Sequence, residues 1–328
     1  MQSEKVTIAI PTLNRAEYLK LAIASALAQT YTNIEVIISD NVSTDNTSEV
    51  LSDISDKRLK ILSQASRLSM VDNWNACLAS ATGYYFLLLS DDDLLESNAI
   101  AEMVGAFDKA VDAERVGMVY CRGQFIDQAG RSIARGQAAP VAEPAESLIR
   151  AFFRSERDTW PCSILFRRSD MGCGYSSAFS LGMDAAMWMQ AVVGRGEARF
   201  VNQDLVCYRV HENATAKTPI EVWQRENRAM AAFAIKALQR SGVTDAKLIG
   251  EIEQAVDGLN IRIIPALIRS ASGGSRMRAL REYGRYLPSF LNPAGLVVLF
   301  KGLLLLLLPA RVSTGIKYLR ALLFRRDN

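Results

Sequence analysis

Three adjacent aspartates, Asp91, Asp92 and Asp93, close the stretch YYFLLLSDDD (84–93), in which six consecutive apolar or aromatic residues lead into the acids. Apolar continuity of this kind reads as a strand buried on both faces, so the carboxylates stand at the edge of a low-dielectric core. Side by side in such a place they repel one another and are pushed toward the protonated form unless positive charge compensates them. A hard divalent cation does so, and Mg2+ or Mn2+ commonly takes one or two protein carboxylates and completes its shell with substrate phosphates. The triplet is read here as holding a cation that grips a diphosphate. An acidic turn, with one aspartate capping the next helix, is the alternative.

Three other polar segments follow apolar strands, and ligands of open α/β sheets bind outside the carboxyl ends of such strands. They are PTLNR (11–15), SDNVSTDNT (39–47) and YRVHEN (208–213). Asp40 leaves its strand where it can accept from a base N–H or a ribose hydroxyl, while Asp45 and Thr47 lock the turn. An Asx-rich loop capping the following helix would use the same residues without a ligand. Neither early loop contains glycine, which counts against dinucleotide oxidoreductases, P-loop enzymes and nucleotidyltransferases. His211, the single histidine, sits beside Arg209 and Glu212 and is either a third metal ligand, a diphosphate contact or a structural residue.

The elements that must position these groups alternate. Strands are predicted at 6–10, 34–39, 58–62, 84–90 and 116–122, with helices at 16–29, 47–54, 70–81 and 97–110 between them. This βα alternation predicts an α/β fold with a parallel sheet covered on both faces. Beyond it come a hairpin (126–133), a Pro/Ala-rich loop (134–144), a strand (162–168), a helix (183–193) and a strand (205–210). Two helices are expected over 219–271, broken near Ser241 and Gly242, and a third over 275–286.

The chain has 328 residues, 49% of them hydrophobic, which is enough for a sizeable core. Its five cysteines are scattered without a C-x-x-C pair, which fits a reduced, cytosolic compartment, and the first fifteen residues lack the apolar region of a signal peptide. Net charge is +3, yet from Arg276 onward ten Lys or Arg face two acids. The apolar segment 295–310 is interrupted by Lys301 and bounded by prolines, and falls short of the roughly 20 residues of a spanning helix. A short hydrophobic hairpin there, beside a basic amphipathic helix over 314–326, reads as lying in the interface of an anionic membrane. A buried helix pair packed on the domain or on a dimer partner is the alternative. No nucleic-acid partner is expected.

Taken in order, the motifs resemble those of the family 2 glycosyltransferases, whose nucleotide-sugar-binding fold is called GT-A. IPTLNR resembles the opening P-T-x-N-R, ISDNVSTDNT the nucleotide motif, and DNWNACLASATGYYFLLLSDDD the helix, turn and strand carrying the acidic cluster. GMDAAMWMQAVVGRG (182–196) resembles the region that presents the catalytic base, and YRVHENAT the segment that closes the site. The resemblance covers residues 5–215 and implies a GT-A catalytic domain over 1–215, with a central, mostly parallel sheet flanked by helices. Residues 216–286 are then a helical extension and 287–328 a membrane-associated segment, at the cytoplasmic face of the inner or plasma membrane.

The resemblance implies nucleotide contacts from Pro11, Thr12, Arg15, Asp40, Asn41, Arg67 and Asp91. It implies Mn2+ or Mg2+ held by Asp92, Asp93 and His211, and an inverting transfer in which Asp184 takes the acceptor proton. In isolation Asp184 reads equally as a helix cap. Trp188, one helical turn beyond it, is expected to stack on an acceptor sugar or to fill the core. Two departures blur the substrate: RLS (67–69) stands where the family often has N-x-G, and Met183 replaces the usual glutamate. The expected donor is a nucleotide-diphosphate sugar and the expected acceptor a lipid-linked saccharide of surface-polysaccharide assembly. Alternatives are transfer to a polyprenyl phosphate and a non-catalytic nucleotide-sugar-binding scaffold.

Overall fold

The computed structural model describes residues 4–210, 218–271, 276–291 and 293–305. The strands are β1 (Val6–Thr12), β2 (Ile34–Asp40), β3 (Leu59–Ser63), β4 (Tyr85–Leu88), β5 (Leu94–Leu95), β6 (Val116–Ile126), β7 (Ser132–Arg135), β8 (Ala142–Pro144), β9 (Ile164–Arg167) and β10 (Glu197–Arg209). Helices α1 (Ala16–Leu27), α2 (Thr47–Ser52), α3 (Met70–Ser80) and α4 (Ala99–Asp108) alternate with the early strands. Helices α5 (Ala145–Phe153) and α6 (Met183–Arg195) lie among the later ones. The chain continues through α7 (Ile220–Arg240), α8 (Ala246–Arg262), α9 (Ile264–Ala271), α10 (Arg276–Arg285) and α11 (Pro293–Leu305).

The sheet runs β3-β2-β1-β4-β9-β6-β10-β5, with β7 on β6 and β8 on β10. Parallel pairings join β1 to β2 and β4, β2 to β3, and β6 to β10. The pairings of β9, β5, β7 and β8 are antiparallel. The sheet is therefore mixed, where the sequence predicts a mostly parallel one. The cause is β9, which enters between β4 and β6 from the turn at Pro161–Ser163 with no crossover helix immediately before it.

Strand periodicity divides the core. Tyr85, Leu87 and Leu89 face α1 and α4, whereas Phe86 and Leu88 face a larger cluster built from α3, α5, α6, α7 and α8. That larger cluster runs without a break from Ala9 and Phe86 to Ile252, Leu259 and Phe290. The helical extension thus shares its apolar interior with the sheet.

Three elements depart from the sequence expectation. Helix α5 falls in a stretch given no element, although its buried Leu148, Ile149, Phe152 and Phe153 follow helical spacing. Residues 219–271 form three helices, because Pro265, which lacks an N–H, stands at the start of α9. The expected apolar hairpin is helix α11 through Leu305, and the amphipathic stretch 314–326 lies outside the described residues. No helix among the described residues is long and apolar enough to cross a membrane.

Helix α6 sits directly on β6: a Cβ at Gly117 would collide with the Ala191 carbonyl and lie 2.7 Å from the Val192 Cα. Replacing Gly117 by Ala is expected to destabilise the fold by about 1–3 kcal/mol, the usual range for overpacking. Urea denaturation measures this, and an unchanged midpoint would contradict so close a seat.

Candidate functional site

The register pairs Thr12 with Asp40, so β1 and β2 end level, and β4 delivers Ser90 and the acids at the same edge. Asp91, Asp92 and Asp93 are all buried. Thr12 Oγ1 donates to Asp91 Oδ2 at 2.8 Å. Arg15 Nη1 donates to Asp91 Oδ1 at 3.1 Å and to Asp92 Oδ2 at 2.6 Å. The charge that the triplet requires is thus supplied in part by an arginine that leaves β1 immediately before α1.

A second arginine serves the triplet from inside. The Arg209 backbone N–H donates to Asp93 Oδ1 at 2.8 Å, and its Nε to the Asp92 carbonyl at 2.8 Å. Its Nη1 reaches the carbonyls of Asp127 and Gln128, and its guanidinium lies 4.8 Å over the Tyr18 ring. The sequence reading gave Arg209 no role. The available signal was a charged residue within the apolar strand LVCYRV, since a buried arginine must find acceptors.

Burial pushes the Asp91 carboxyl up from 3.8 to about 6; Arg15 opposes this and Asp92 adds to it. Burial also pulls the Arg15 guanidinium down, but Asp91 and Asp92 outweigh it and hold its pKa above the ordinary value.

The β1 and β2 loops are fastened to one another. Asn14, at φ 54°, donates its N–H to Ser43 Oγ at 2.9 Å and accepts the Thr44 N–H at 2.7 Å, while Asp45 accepts the Ala16 N–H at 3.1 Å. Asp40 Oδ1 accepts the Ser43 N–H at 3.1 Å, and Pro11 is half-buried beside it at the strand ends. Asn41 corrects the sequence reading. It is buried and exchanges two hydrogen bonds with the Leu68 backbone, at 2.7 and 3.0 Å, so it braces a neighbouring loop and is not presented to a ligand. What that brace presents at the end of β2 is the exposed Arg67.

Asp184 lies half-buried in the first turn of α6, not at its cap, which is Gly182. Burial, and next the Asp184 charge, push the neighbouring Tyr175 phenol far up. Asn75 of α3 grips the Tyr175 backbone through its N–H at 2.8 Å and its carbonyl at 2.9 Å. From the other side, buried Glu226 of α7 accepts the Ser180 N–H and hydroxyl, both at 3.0 Å, and the Leu181 N–H at 3.3 Å. Met230 packs on Gly182, where a Cβ would lie 2.6 Å from its Sδ. Sequence reasoning assigned none of these supports.

Trp188 is a further correction. It is 0% exposed and its ring packs edge-on against Phe152 at 5.2 Å, so no acceptor sugar can stack on it. Its i+4 spacing from Asp184 shows a shared helix side, but α6 turns that side into the core.

His211 lies outside the described residues. Among the described residues no group of three His, Cys, Asp or Glu is arranged to hold an ion. Asp92 and Asp93 offer hard carboxylate oxygens, a donor set that fits Mg2+ or Mn2+ completed by diphosphate oxygens and not a closed protein cage.

A family model described as Glycosyl transferase family 2 matches residues 7–174. The hyaluronan synthase of Pasteurella multocida is 34% identical over 247 residues, 73% of this chain and 24% of that protein. The chain spans 40% or less of the curated relatives it matches here. Staphylococcus aureus TarS 1–349, solved with UDP-GlcNAc, superposes with TM-score 0.60 at 16% identity, over 87% of this chain and 91% of that one. The mannosyltransferase PcManGT of Pyrobaculum calidifontis, solved with GDP-Man and Mn2+, gives TM-score 0.56 at 17% identity, over 97% and 86%. Such identities establish a shared fold, the α/β GT-A-like arrangement.

The Asp91 shift has a measurable sign. Because the folded value of about 6 lies above the ordinary 3.8, the folded chain binds more protons than the unfolded one between them. The associated stability is fully present below 3.8 and is lost as pH rises through about 6. Without cation or nucleotide, urea midpoints of the wild type should fall over that window relative to Asp91→Asn. Parallel pH curves for the two proteins would refute the assignment.

Proposed function

The chain belongs to glycosyl transferase family 2, and from that premise we propose that it transfers a sugar from a nucleotide-diphosphate sugar to a saccharide hydroxyl, with inversion at the anomeric carbon. The observation that carries this reading is the buried carboxylate cluster, bridged by Arg15 and level with the linked β1 and β2 loops. Solved relatives of the same fold hold UDP-GlcNAc, or GDP-Man with Mn2+, which supports the donor class and a divalent cation.

In this reading Asp40 and the loop beside it receive the nucleoside. Arg15 and Arg67 face the diphosphate, where each guanidinium offers a fork of donors to phosphate oxygens. Arg209 keeps the Asp92–Asp93 backbone fixed from beneath. Asp92 and Asp93 would hold Mn2+ or Mg2+, which supplies Lewis-acid stabilisation of charge on the departing diphosphate. Asp184 accepts the proton of the attacking hydroxyl, for which it must come within about 2.6–3.2 Å of that oxygen. Its carboxylate needs no unusual basicity, because the proton is released as the new bond forms. The acceptor is a lipid-linked saccharide of surface-polysaccharide assembly at the cytoplasmic face of a membrane. The basic, apolar C-terminal sequence and a polysaccharide synthase among the relatives support it.

The test is a thermal-shift screen of UDP-, GDP-, CDP- and dTDP-sugars with and without Mn2+, followed by nucleoside diphosphate release with lipid-linked acceptors. One donor class should stabilise the chain in a Mn2+-dependent way; no response to any donor would overturn the reading. Asp184→Asn is expected to lower turnover by about 10²–10⁴-fold while leaving donor binding intact. Asp92→Asn and Asp93→Asn should remove the Mn2+ dependence of binding, as read from metal titrations of the folded variants.

A further inference from the structure

Helices α10 and α11 turn an apolar face to solvent while their opposite sides are seated in the core. In α11 the seat is set by two glycines one heptad apart, Gly295 and Gly302, both buried. A Cβ on Gly295 would lie 2.7 Å from the Phe290 Cα, and one on Gly302 would meet the Tyr283 hydroxyl and lie 2.8 Å from the Pro265 Cβ. That contact fixes the rotation of the helix and leaves Leu296, Val297 and Phe300 on the far side. Helix α10 repeats the pattern, burying Ala279 and Tyr283 and turning Met277 and Leu280 outward, and Leu291 follows the turn at Leu287–Phe290 against which both helices pack. These six outward side chains are 48–76% exposed. Grouped apolar exposure of this kind marks a surface that meets an apolar partner.

Charge identifies the partner. Arg278, Arg281 and Arg285 are all exposed on α10. The one acid of α10, Glu282, is paired with Arg285 at 3.2 Å, and α11 contains none. A second copy docking by two-fold symmetry would set these arginines against their own equivalents with no acidic counterface. The chain's own residues 306–328 carry five Lys or Arg and one Asp, so they add like charge if laid there. Aliphatic side chains flanked by arginines match instead the acyl boundary and headgroups of an anionic bilayer.

We propose that the α10–α11 face is a lipid-docking surface that lies in the interface of an anionic membrane, with Leu296 and Phe300 inserted and the α10 arginines at the headgroups. The proposal stands on geometry separate from the transfer site. Its test is flotation of the full chain with vesicles of phosphatidylcholine alone or mixed with phosphatidylglycerol. Binding should favour the mixed vesicles and weaken as salt rises. The double variant Leu296→Gln with Phe300→Gln should lose binding by roughly tenfold or more, from the apolar area withdrawn. The triple variant Arg278→Gln, Arg281→Gln and Arg285→Gln should lose roughly fivefold per arginine on mixed vesicles. Wild type that floats with neither vesicle, or a double variant that binds as tightly as wild type, would overturn the proposal. So would a dimer in solution that the double variant converts to monomer. Thermal-shift titration of the same variants with nucleotide sugars and Mn2+ reads the transfer site independently, so a failure there is separable from a failure here.

Discussion

Carboxylates at the end of a fully buried strand must be met by positive charge, and much of this fold is arranged so that two arginines reach them. Arg15 approaches from the solvent side and can do so only because β1 lies next to β4 in parallel register and ends one turn short of α1. Arg209 approaches from beneath, which requires β10 to run out to the same edge and α1 to place Tyr18 under the guanidinium. The two contacts tie the first strand, the first helix and the last strand of the sheet to three consecutive residues. Burial of Asp91 remains the largest influence on its proton, so the cluster is held with its charges incompletely neutralised, as suits a site that receives further charged groups.

The other half of the site has a different logic. Asp184 stands on a helix whose start has no side-chain cap of its own. The approach to that helix is instead fixed by distant residues: Asn75 holds the Tyr175 backbone, Glu226 takes two backbone N–H groups, and Met230 fills the space that glycine leaves. A carboxylate from α7 beside the N-terminal end of α6 also has the sign that the helix dipole favours.

The sequence carried the cluster and both nucleotide loops in local signals. Continuous apolar residues before Asp91, and β-branched runs before Pro11 and Asp40, announce strands whose ends must share an edge. What it could not carry is partnership across long separations. Asn41 and Leu68 are 27 residues apart, Ser180 and Glu226 are 46 apart, and Arg209 and Asp92 are 117 apart. No local period distinguishes Asn41 as a brace from Asn41 as a ligand contact. Likewise the spacing of Trp188 from Asp184 gives a helix side but not the direction in which tertiary packing turns it. The antiparallel insertion of β9 was hidden for the same reason, since ILFR is an apolar strand in either direction.

The grip of Glu226 on Ser180 and Leu181 has an evolutionary reading. A segment that begins the helical extension holds the loop that precedes the presumed base, and both contribute to one uninterrupted apolar interior. Recombination that exchanged the extension while keeping the nucleotide-binding portion would separate a carboxylate from the amides it satisfies. The junction near residue 215 is thus a poor crossover point, and the two parts are bound to diversify together.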